Sequence, residues 1–168
     1  LSQVSSAYYY KGETPNFSRF KNIGLSITSS AKQKITDSAA GATAISAGVK
    51  SYNGAIGVDA DTLSVPLINE MLYEQGWKTG IIATSSITHA TPASFYAHVE
   101  RRSMQDEIAA QLVSSNIHFA AGGGQEFFTG NINGINTYEN LEKEGFYVNT
   151  DTLLADLDAN RRYAFVLA

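Results

Sequence analysis

Four short apolar segments of strand length, set apart by helical patterns, constrain the fold of this chain more than any other feature. Residues 79–84 read as a buried strand, residues 117–121 as a short strand running into Gly122, Gly123 and Gly124, and residues 145–148 as a third strand. Residues 163–168 read as a buried strand that stops at the final residue. A helix is predicted over 65–75, where Val65, Ile68, Met71 and Leu72 share a face and Gly76 supplies the stop. Thr91 and Pro92 predict an N-cap and first position for a helix over 92–99, because proline there loses only an amide that has no partner. Another helix opens at 103–106, with Met104, Ile108 and Leu112 spaced by four as its apolar stripe, and helical patterns recur over 138–143 and 152–157. Strands alternating with helices in this way form an α/β fold with a largely parallel sheet. Upstream, residues 8–32 are polar and dotted with glycine and aromatics, which predicts a short helix, irregular connections and a candidate strand over 24–28. No repeat, low-complexity tract or linker divides the chain, so residues 1–168 are expected to form one domain.

Several classes of function are excluded before any motif is weighed. A formal charge of -4 without a basic run gives nothing to displace counterions from DNA, RNA or anionic lipid. The absence of cysteine rules out disulfides, thiolate metal sites and cysteine nucleophiles. No apolar stretch approaches the ~20 residues that span a bilayer. The chain opens on Leu1-Ser2-Gln3 with neither a start methionine nor a signal peptide, and both ends are expected to be cut from a longer protein. The triple glycine has Phe127 where a dinucleotide fingerprint needs glycine, and no Walker lysine follows it. Ser29 and Lys32 match a short S-x-x-K pattern but lack its companion elements. Asn16-Phe17-Ser18 is a formal glycosylation acceptor that has meaning only in a eukaryotic secretory route.

The alanine-rich run over 37–48 carries the chemistry. It predicts a helix starting at Asp37 or Ser38, ending at Gly48 and packed in the interior, since small side chains let neighbouring backbones approach. Either Asp37 or Ser38 can serve as an N-cap that satisfies free amides. A serine hydroxyl at a helix amino end also stands where backbone amides and the helix dipole favour a dianionic phosphate. The segment Ile35-Thr36-Asp37-Ser38-Ala39-Ala40-Gly41-Ala42-Thr43-Ala44, continued from Ser46 through Asn53-Gly54 to Val58, closely resembles the nucleophile segment of alkaline phosphatases. Thr88-His89-Ala90-Thr91-Pro92-Ala93-Ser94-Phe95-Tyr96-Ala97-His98-Val99 resembles the magnesium-threonine segment of that family, with Arg102 following as its phosphate arginine. The likeness is strong over 34–58 and 84–102 and weaker around the triple glycine.

The resemblance implies an alkaline-phosphatase-like sandwich with a central, mostly parallel sheet flanked by helices. It implies that Ser38 attacks phosphorus, becomes a phosphoserine and is freed by hydrolysis at a metal cluster. Arg102 would clamp two phosphate oxygens with its planar guanidinium; spacing from His98 favours it over Arg101. Ser38 and Thr91 would contribute oxygens to metal ions, magnesium preferring such ligands, while Asp37 and His89 would stand behind them. Some family members carry aspartate where His89 stands, which leaves the identity of the third metal open. His98 and His118 are expected to be structural.

By the same resemblance the complete enzyme uses two Zn2+ ions and Mg2+, acts on small-molecule phosphomonoesters, forms a homodimer, and is periplasmic or secreted. Most metal ligands of the family have no counterpart here, so the isolated chain is expected to retain no metal and to be inactive. Phosphate monoester hydrolysis can need acceleration up to ~10²¹-fold. A helix end supplies up to ~2 kcal/mol and a charged hydrogen bond ~1.5 to 3. The alternatives are a catalytically silent phosphate-binding or structural fragment, and a related phosphodiesterase or sulfatase, which the Asp37-Ser38-Ala39 context disfavours.

Overall fold

The structure, a computed structural model, describes residues 2–22, 24–132, 135–151 and 156–167. In chain order the elements are α1 (Ser2–Tyr10), α2 (Ser38–Ala47), α3 (Ile68–Glu74), β1 (Gly80–Ser86), α4 (Ala90–Ala93), α5 (Gln105–Ser114), β2 (Phe119–Gly123), β3 (Asn131–Ile132), β4 (Ile135–Asn136), α6 (Thr137–Lys143), β5 (Phe146–Asn149) and β6 (Arg162–Val166). Four strands form one parallel sheet in the order β1-β2-β6-β5, with Gly80 opposite Phe119, Phe119 opposite Tyr163 and Phe146 opposite Arg162. The α/β expectation therefore holds, and the sheet is entirely parallel. β3 and β4 pair antiparallel as a separate ribbon.

The alternation of a strand assigns the two faces of the sheet. Ala120, Ala164 and Val166 face one way and join Ile108 and Leu112 of α5 and Leu141 of α6 in the main core. Ala121, Tyr163 and Phe165 face the other way, where Tyr163 and Phe165 stack at 5.9 Å. The amino ends of the strands are tied by Arg162, whose guanidinium donates to the carbonyls of Ser115 (2.6 Å), Ile117 (3.0 Å) and Glu144 (3.1 Å). Among the described residues no helix is long and apolar enough to cross a membrane.

Several expectations are corrected. Residues 24–28 form no strand, and Leu25 and Ile27 are exposed. α3 begins at Ile68, later than residue 65, because Val65 precedes Pro66 and is held extended, with its amide donating to the Gly57 carbonyl at 3.1 Å. The predicted apolar face also turns: Ile68 and Met71 are exposed, and Leu67 and Asn69 are buried. β1 is not a buried strand. It lies at the end of the sheet order, with Ile81 buried and Ile82 78% exposed.

The helix predicted over 92–99 is a single turn, Ala90–Ala93, capped by His89 and not by Thr91. It stops early because Ser94 Oγ returns to the Ala90 carbonyl at 2.7 Å and Val99 pairs antiparallel with Ile56. Of the helix predicted over 152–157, residues 152–155 lie outside the described residues, and 156–157 are not helical. The stripe Ile108 and Leu112 is buried as expected, with Met104 as the half-buried N-cap of α5.

Candidate active site

The site is built at the amino end of α2. Asp37 caps the helix in extended conformation, its Oδ1 accepting from the Ala40 amide at 3.0 Å. Gly48 ends the helix with a left-handed φ of 70° that a residue without Cβ adopts freely. Ala39, Ala40, Ala42, Thr43 and Ser46 are buried, so one face of α2 packs into the interior, while its first residue, Ser38, and Ile45 on its other side are exposed. The Ser38 hydroxyl makes no hydrogen bond among the described residues, standing free where the amide ends and the helix dipole favour an anion.

A turn and an arginine close around the cap. Asp37 Oδ2 accepts from the Gly54 amide at 3.1 Å and from Arg102 Nη1 at 3.3 Å, and the Gly54 carbonyl accepts from the Arg102 amide at 2.7 Å. Asn53 completes the turn, its Oδ1 accepting from the Asp37 amide at 3.2 Å and its Nδ2 donating to the Ile35 carbonyl at 2.9 Å. Arg102 Nη2 lies 3.1 Å from His89 Nε2; a guanidinium only donates, so His89 accepts there. Burial alone would raise the pKa of Asp37, but the Ala40 and Gly54 amides and the Arg102 guanidinium outweigh it and hold the carboxylate below its ordinary range.

Three residues singled out from the sequence, Asp37, His89 and Arg102, thus meet in one hydrogen-bonded chain, with Ser38 next to the first. Thr91 is exposed and lies with His89, Pro92, Phe95 and residues 80–85 of β1 along an open groove of about 690 Å³. His98 and His118 stand elsewhere. His98 bridges the Gly57 carbonyl and Glu70, and His118 packs against Tyr73 at 6.0 Å, its pKa lowered by burial and by Arg162 and Lys78. Asn53 and Gly54 were not separated from their segment by sequence, although Asn-Gly is a turn signal.

The donor set does not complete a metal centre. Among the described residues no group of three or more His, Cys, Asp or Glu could hold a metal ion, and both Asp37 oxygens are already engaged. What remains is the pair of exposed hydroxyls on Ser38 and Thr91, which suit a hard cation but are too few to hold one.

Comparison with known proteins places the chain in a family. A family model described as alkaline phosphatase matches residues 4–166. Alkaline phosphatase 4 of Bacillus subtilis is 38% identical over 130 residues, covering 70% of this chain and 28% of the relative. The solved alkaline phosphatase of the Antarctic bacterium TAB5 is 47% identical with a TM-score of 0.90, over 99% of this chain and 49% of that one. A histidine-to-aspartate variant of the TAB5 enzyme, solved with Mg bound in its M3 site, is 46% identical with a TM-score of 0.90, over the same 99% and 49%. The chain spans about a quarter of the Bacillus relative and about half of the solved enzyme. With nearly its whole length matched, this chain belongs to the alkaline phosphatase family.

Proposed function

We propose that the protein containing this chain hydrolyses phosphate monoesters through a phosphoserine at Ser38. The observation that supports this most is the exposed, unbonded Ser38 hydroxyl at the amino end of a half-buried helix whose cap holds Arg102. The Ser38 oxygen gives up its proton and bonds to phosphorus as the P–O bond to the alcohol breaks, the alcohol leaving with the electron pair and taking up one proton in exchange. Water then cleaves the serine phosphate, returning the hydroxyl and releasing inorganic phosphate. Arg102 spends two donors on Asp37 and His89 and keeps the others for phosphate oxygens, so Asp37 and His89 orient the clamp.

Two Zn2+ ions and Mg2+, held mainly by residues outside this chain with oxygens from Ser38 and Thr91, would ease serine ionisation and neutralise developing charge. The TAB5 variant with Mg in its M3 site supports a third metal site in this family, and because that variant carries aspartate in place of a histidine, it does not assign Mg2+ to a site backed by His89. Family membership also supports a homodimer and a periplasmic or secreted location.

In the full-length protein, Ser38→Ala should lower p-nitrophenyl phosphate turnover by several orders of magnitude. Arg102→Ala should lower kcat/KM by about 10- to 100-fold, through the loss of charged hydrogen bonds. Wild-type turnover by Ser38→Ala would overturn the assignment. A second reading applies to the isolated chain, which lacks a three-ligand metal group among its described residues: it acts as a silent phosphate-binding piece. Zinc-dependent turnover by the isolated chain would refute that second reading.

A further inference from the structure

The turn that grips Asp37 and Arg102 is itself held by a residue far from the phosphate chemistry. His98 Nδ1 lies 2.7 Å from the Gly57 carbonyl oxygen and Nε2 lies 3.0 Å from Glu70 Oε1 on α3. Glu70 is fixed in turn, its Oε2 accepting from the Leu67 amide at 2.8 Å. The backbone of His98 is pinned by Gln111, whose Oε1 accepts from the His98 amide at 2.7 Å and whose Nε2 donates to its carbonyl at 3.0 Å. Both ring nitrogens thus lie within hydrogen-bond distance of an oxygen, one from each side of the ring.

Gly57 leaves the ring no slack. Its φ is 61°, and a Cβ there would collide with the Ala97 carbonyl and stand 2.9 Å from His98 Nδ1. From Gly57 the connection to the site is short. Ile56 and Val99 exchange backbone hydrogen bonds at 2.9 and 3.0 Å, and two residues earlier Gly54 binds both Asp37 and Arg102. On the other side the Gly57 amide donates to buried Thr43 Oγ1 of α2 at 3.1 Å.

We propose that His98 is a positioning residue: by tying the Gly57 carbonyl to Glu70 it fixes the 53–57 turn, and through Gly54 it sets Arg102 for the phosphate. The proposal rests on the reading of Arg102 as the phosphate clamp. It is tested in the full-length protein by the inhibition constant for inorganic phosphate in His98→Gln, Arg102→Ala and the double variant, with Glu70→Gln, on the partly exposed rim of α3, as the milder probe.

His98→Gln should weaken phosphate inhibition about 10-fold. Glu70→Gln should weaken it less, and neither change should add to Arg102→Ala, because residues acting through one group are not additive. Equal effects of His98→Gln with and without Arg102 would overturn the positioning role, as would unchanged inhibition in both His98→Gln and Glu70→Gln. If His98→Gln fails to fold, Glu70→Gln alone and combined with Arg102→Ala decides the matter by the same comparison. Unchanged inhibition in Arg102→Ala itself would overturn the phosphate clamp, and the positioning role with it.

Discussion

Asp37 shows how much one side chain does at this site. It caps α2, receives the Gly54 amide and holds Arg102, and these contacts together outweigh the burial that would raise its pKa. A folded pKa below the ordinary value of 3.8 gives stability that is complete above that value and is lost as pH falls through the lowered one. Asp37→Asn keeps a capping oxygen and removes the charge, so its stability should fall less steeply below about pH 4 than that of the wild type. Denaturant unfolding across the acid range checks this, and identical acid limbs would contradict it. Gly57→Ala should cost more than about 1 kcal/mol, since its φ of 61° and the Ala97 carbonyl both oppose a side chain; thermal unfolding reads the loss. The helix start at Ser38 and its cap at Asp37 were legible because a capping pair before an alanine run is a local pattern, whereas the chemistry of Ser38 came only from the resemblance. The partners of Asp37 were not legible, because Gly54 and Arg102 lie 17 and 65 positions away and meet it only through the fold.

At the scale of elements, the alanine run sets how closely α2 can pack. Ala39 is fully buried, and Ser94 Oγ of the neighbouring turn lies 3.5 Å from its carbonyl, so Ala39→Leu should destabilise by about 1–3 kcal/mol through overpacking. A melting temperature equal to that of the wild type would contradict this packing. β2, β5, β6, α5 and α6 were legible from apolar period and turn residues, which act within a few positions. The start of α3, the shortness of α4 and the exposure of β1 were not. Pro66 delays α3, the Val99–Ile56 pairing ends α4, and the place of β1 in the sheet decides which of its residues are covered. Each of these depends on chain neighbours or distant partners that periodicity does not see.

Over the whole molecule, the described sheet leaves β1 without a strand on its outer side, and Ile82 there is 78% exposed. An apolar edge of this kind is a template for pairing with another chain. Expressed by itself, the chain should run in size-exclusion with light scattering above its 18.1 kDa mass, and Ile82→Lys should shift it toward the monomer. A monomeric wild type would count against an active edge. The chain covers about half of the solved TAB5 enzyme, so the chemistry proposed for Ser38 is a property of the larger protein. The most direct test of that chemistry is acid-quenched peptide mapping of the full-length protein during phosphomonoester turnover. One phosphoryl group is expected on the peptide carrying Ser38 and none in Ser38→Ala; a phosphoryl group on a different residue would overturn the assignment of Ser38 as nucleophile.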